Sequence, residues 1–123
     1  MNFNAVTVAG IVLILLNGSI HLIEGIEHFG EDYRHILFLL NSAGAILAAI
    51  GIARGVRGWG WSLGLFIAAA SIILYIISRT IGLPNIRIGS WSSTYGILSL
   101  IVESLFVVLA LRVLTRPPTD ARV

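Results

Sequence analysis

Six ionisable residues close the first apolar stretch of this chain: His21, Glu24, Glu27, His28, Glu31 and His35. Positions 21, 24, 28, 31 and 35 follow a three-four rhythm, which on a helix puts the first three on one stripe. Imidazole and carboxylate on neighbouring turns can pass a proton, bind each other, or offer nitrogen and oxygen to a transition metal. Ionisable groups in a membrane are costly, so a stripe of them is by default a functional site.

The elements that must carry this stripe are apolar. Of 123 residues 57% are hydrophobic and 11% charged, with a mean hydropathy of +0.95. Soluble domains carry roughly 25% charge, so the composition is that of an integral membrane protein whose surroundings are the lipid bilayer. The net charge of +2 comes from arginines near segment ends, with no lysine, a topological pattern that excludes nucleic acid as a partner. The absence of cysteine excludes disulfides, thiolate ligands, iron–sulfur clusters and cysteine nucleophiles.

Four spans are predicted, over residues 5–29, 33–54, 60–82 and 94–114, each near the ~20 residues needed to cross a ~30 Å hydrocarbon core. Gly30-Glu31-Asp32 and Gly55-Val56-Arg57-Gly58 make tight polar turns, so sequence neighbours run antiparallel. The expected fold is all-α: one transmembrane domain over 1–123, an up-down four-helix bundle. The longer connection from Leu83 to Ser93, with Pro84 just past a helix end, is expected to lie along the membrane surface through Ile86, Ile88 and Trp91. Arg54, Arg57, Arg112, Arg116 and Arg122 fall on one side and Arg34, Arg79 and Arg87 on the other, which favours a cell-membrane protein with both termini cytoplasmic. Trp59 and Trp61 would anchor the inner interface and Trp91 the outer. The first segment lacks a basic leader and a small-residue cleavage site and reads as retained. The Asn17-Gly18-Ser19 acceptor motif lies within a span, out of reach of glycosylation.

Depth then groups the polar residues. His21, Asn41 and Glu103 each lie about eight residues, or ~12 Å, inside the predicted outer boundary, and Glu24 and Arg79 ~6 to 8 Å inside. Two layers are expected: His21 with Glu103 and Asn41, and Glu24 with Arg79. Glu27, His28, Glu31 and His35 would crown them at the interface. An unpaired carboxylate in hydrocarbon takes up a proton or costs several kcal/mol, and Arg79 is the natural partner for one of the acids. Small-residue stripes, Gly60, Gly64, Ala68 and Ser71 on the third span and Gly44, Ala48 and Gly51 or Ile52 on the second, point to helix packing inside the bundle or against a partner.

Several readings of the cluster stay open. It can be an internal network that fixes helix register. It can be a metal or redox site in which His21, Glu24 and His28 supply the ligands, although the Glu-x-x-His repeat of di-iron bundles would have to recur on a second helix, and the third and fourth spans hold no histidine. It can be a proton or ion path, for which only Asn17 and Ser71 are available in the inner half. Haem fits least, because His21 is the sole deep histidine and axial ligands should project from facing helices. No nucleophile elbow, phosphate loop or dinucleotide fingerprint is present, which leaves no reaction to assign.

The runs His21-Leu22-Ile23-Glu24-Gly25-Ile26-Glu27-His28-Phe29, Leu39-Leu40-Asn41-Ser42-Ala43-Gly44, Ser78-Arg79-Thr80-Ile81-Gly82-Leu83-Pro84 and Val102-Glu103-Ser104-Leu105-Phe106 resemble blocks of an uncharacterised family of small prokaryotic four-span membrane proteins. The resemblance covers nearly the whole chain. It implies the fold and points to the same residues, and it brings no activity, substrate or cofactor with it. The function expected from the sequence is a non-catalytic accessory or structural subunit of a larger membrane complex, seated against other subunits or copies of itself. The alternatives are a metal-binding or redox protein built on His21, Glu24 and His28, and proton or ion conduction.

Overall fold

Four helices carry the structure, and the sequence supplies an explicit cap for two of them. The computed structural model describes residues 4–116, apart from the side chain of Arg57. Helix α1 (Ala5–Glu27) starts at Asn4, whose side-chain oxygen accepts the Thr7 N–H at 2.9 Å. Helix α4 (Thr94–Thr115) starts at Ser93, which accepts the Gly96 N–H at 3.1 Å. Helix α2 (Arg34–Ala53) stops in a Schellman turn: Val56 N–H donates to Gly51 O, Gly55 N–H donates to Ile52 O, and Gly55 takes the left-handed φ of 74° that this closure needs. Helix α3 (Ser62–Arg79) follows a wide π turn over Arg57–Trp61. All four are long and apolar enough to cross a membrane, and no strand occurs among the described residues.

The helices pack as a ring, α1 on α2, α2 on α3, α3 on α4 and α4 back on α1, with α1 and α3 nearly out of contact across the diagonal. Large apolar side chains such as Phe66, Ile73, Leu40 and Val108 face outward, as lipid contact requires. Inside, the half of the bundle nearer the termini has an apolar core. Ile14, Ala45, Ala48, Ile52, Phe106 and Ala110 are buried there, and the Trp61 ring stacks on Phe106 with centroids 5.6 Å apart.

Small residues set this spacing. A Cβ on Gly60 would sit 2.6 Å from the Gly51 carbonyl carbon, and one on Gly64 would meet the Phe106 ring at the same distance. The stripe on α3 is therefore consumed within the bundle. It also corrects an expectation: Trp61 is not an interfacial anchor but a core residue, 3% exposed and packed over Gly10, whereas Trp59 is 49% exposed. Helix geometry explains the difference, because Trp61 stands three residues before Gly64 and seven before Ala68 and so shares their inward face. The remaining expected boundaries move by a few residues, the first span ending at Glu27 and the third at Arg79. Arg122, counted with the arginines near the termini, lies outside the described residues.

Candidate functional site

His21 stands on the inner face of α1, held there by Phe38 of α2, whose ring stacks on the imidazole at 5.5 Å between centroids. Its Nε2 shares a 2.8 Å hydrogen bond with Oε2 of Glu103 on α4, a carboxylate only 1% exposed. On the other side of the ring, Nδ1 lies 3.1 Å from Oε1 of Glu24, one turn along α1. That second contact is close but misaligned, so Nδ1 is a buried nitrogen with no hydrogen-bond partner. The centre is thus Glu24–His21–Glu103, two carboxylates about one imidazole.

A second polar chain runs beneath it. Asn17 Nδ2 donates to Asn41 Oδ1 at 2.9 Å, Asn41 Nδ2 donates to Ser71 Oγ, and Ser71 Oγ donates to the Ile67 carbonyl at 2.7 Å. The pairing of Asn41 with His21 expected from depth does not form. Asn41 reaches sideways to α1 and α3, and His21 takes Glu103 from α4. Asn17 and Ser71, which the sequence marks only as stray polar groups, turn out to be the ends of this chain.

Arg79 is the second correction. It forms no salt bridge with Glu24. Its guanidinium lies over the Tyr75 ring at 4.5 Å, Nε–H donates to the Ser90 carbonyl at 2.7 Å, and an NH1 hydrogen goes to Ser78 Oγ at 2.9 Å. The aromatic face and the loop carbonyl satisfy the cation along its own wall. They also hold down the connection after α3. Gly89 N–H donates to Ser78 O, and Tyr33 OH donates to Pro84 O at 2.7 Å, so the 80–93 segment folds over the end of the bundle. Within it Ile86 lines the chamber below, while Ile88 and Trp91 stay about half exposed.

Between these walls is a chamber of about 290 Å³, bounded by His21 and Glu24 from α1, Phe38 from α2, Ser71 and Arg79 from α3, and Ser99 from α4. Its roof is Leu83, Ile86 and Gly89 of the folded-over segment. The interfacial residues are divided. His28 reaches the chamber, yet its Nδ1 is 3.3 Å from Glu31 and its ring tilts against Phe38. His35 turns to the Asp32 carbonyl and to Phe29, and Glu27 is exposed.

The proposed metal triad is not assembled. His28 leaves His21 and Glu24 for Glu31, and among the described residues no three histidine, aspartate or glutamate side chains converge as ligands. No family model, curated protein or solved structure matches this chain. The comparisons therefore support neither a prokaryotic family nor an imported activity, and what stands is four apolar helices compatible with a small membrane protein.

Proposed function

We propose that the chain is a non-catalytic membrane subunit that holds a small polar ligand in its chamber, which opens to the outer face if the termini are cytoplasmic. The observation that carries this reading is the chamber itself, which Glu24, Asn41, Arg79 and Ser99 line with polar side chains from all four helices. A mostly preformed cavity with a few convergent polar groups is the usual form of a small-molecule site. The volume is at the lower end of such sites, so the ligand is small.

Conduction and metal binding have less support. Toward the termini the polar chain ends at Asn17, and among the described residues the next buried layer is the apolar Ile14, Ala48, Ile52 and Phe106, which offers a proton no side-chain acceptor. A metal at His21 and Glu24 would lack a third protein ligand. The accessory role draws on size and on the lipid-facing apolar surface, but the internal use of the glycine stripes removes one argument for a partner.

Native mass spectrometry of the gently solubilised protein tests the proposal. A bound small molecule is expected, and Ser99→Leu, which pushes side-chain volume from a buried position into the chamber, should strip it. Folded wild-type protein that carries no adduct, or an adduct that Ser99→Leu leaves in place, overturns the reading.

A further inference from the structure

Opposite charges line two walls of the chamber without touching. Glu24 on α1 and Arg79 on α3 both border it, and no salt bridge joins either chamber acid to an arginine among the described residues. Glu24 and Glu103 face His21, and Arg34 at the rim is occupied by Asp32, with NH2 2.7 Å from Oδ2. Opposite charges in a low-dielectric cavity attract strongly and intramembrane charges normally pair, so something holds these apart.

Each is tethered to its own wall. Glu24 is drawn to His21 Nδ1, while Arg79 is fixed by the Tyr75 face, Ser78 Oγ and the Ser90 carbonyl. Gly89 completes the cradle, since a Cβ there would lie 2.5 Å from NH1. The Glu24 carboxylate itself borders the chamber, and a carboxylate in that wall calls for a donor that carries positive charge. Across the chamber a guanidinium without an acid calls for an oxyanion.

We infer that the ligand is a zwitterion: a primary ammonium held by Glu24, joined by a short linker to a phosphate or carboxylate held by Arg79. This rests on the ligand-holding reading above and names the class of ligand. A volume of about 290 Å³, on the order of ten water molecules, suits a head group or an amino-acid-like solute and excludes a large one. Phe38 and Leu74 also line the chamber and suit an apolar linker. An ethanolamine phospholipid head group and a free solute present the same chemistry.

The test is calorimetry on the purified full-length protein with phosphoethanolamine, ethanolamine and inorganic phosphate, alongside native mass spectrometry with phosphatidylethanolamine or phosphatidylcholine added. Phosphoethanolamine should bind at least tenfold more tightly than either half. Arg79→Gln should reduce it to the level of ethanolamine and Glu24→Gln to the level of phosphate, while Arg79→Lys keeps part of the preference and controls for folding. A lipid source gives retained phosphatidylethanolamine adducts, without phosphatidylcholine adducts because a quaternary ammonium cannot donate. A solute source gives tight phosphoethanolamine binding with no preference between lipids. Phosphoethanolamine no tighter than its halves, with no preference between the lipids, overturns the inference. If Ser99→Leu still strips the native adduct in that case, the chamber binds another class and only the zwitterion falls; if it strips nothing, both readings fall.

Discussion

Near the termini, Trp61 lies against Phe106 and over Gly10, and Gly60 meets the Gly51 backbone so closely that no side chain fits between them. At the other end of the same four helices, Glu24, His21, Glu103, Asn41 and Arg79 reach inward and a chamber of about 290 Å³ stays open. One half is closed by van der Waals contact and the other is propped by polar side chains and roofed by a loop. In lipid, where burying apolar surface drives helices together only weakly, close packing is the main cohesive term and interhelical hydrogen bonds are modest. The closed half should therefore hold the bundle together, and the propped half should tolerate change and carry function.

The sharpest way to break this contrast is to force the closed half apart. Gly60→Leu places side-chain atoms against the Gly51 and Ile52 backbone, which cannot give as a flexible side chain would. A loss of roughly 3 kcal/mol or more is expected in reversible unfolding from mixed micelles. A loss below that of the polar-half variants would invert the comparison. Next comes Glu103→Ala, which leaves His21 Nε2 without its acceptor in a site 1% exposed. About 2 kcal/mol is expected, above the ~0.6 kcal/mol average for membrane hydrogen bonds and below the 3–5 kcal/mol for a broken buried ion pair. Glu103→Gln keeps an acceptor and should cost less than about 1 kcal/mol. Equal losses for Ala and Gln would mean that shape, not the hydrogen bond, matters at this position.

The two halves were not equally legible from the sequence. Span number and topology follow from apolar length and short turns, and these are insensitive to which side chain meets which. His21 and Glu103 were also readable, because two polar groups at equal depth in lipid have few other partners. Depth says nothing about direction around a helix, which is why Asn41 was matched to His21 when it reaches Asn17 and Ser71. Arg79 departs from its expected pairing for a different reason. Pairing by charge ignores a tyrosine one turn back and carbonyls of a loop distant along the chain, and these satisfy the guanidinium first. Trp61 carried a signal of its own, since its spacing to Gly64 and Ala68 puts it on the inward small-residue face, and a general preference of tryptophan for interfaces hides that signal.

The smallest expected effect lies at the chamber rim, and it asks whether the charges there are committed before any ligand arrives. Arg34 donates to Asp32 through its backbone N–H at 2.9 Å and through its guanidinium, and this holds the Asp32 carboxyl down at about 2 from an ordinary 3.8. A carboxyl lowered in the folded state contributes stability above its unfolded value, and that contribution fades as pH falls through about 2. At neutral pH the pair therefore leaves no pH dependence, and Arg34→Gln should barely move stability, because the contact is partly exposed and screened. What should move is the titration: by carbon NMR of the Asp32 side chain, the midpoint should rise toward 3.8 in Arg34→Gln and stay near 2 in Arg79→Gln. A rise in the Arg79 variant instead would mean that Asp32 answers to the chamber arginine, and that Arg79 is not free for an anion.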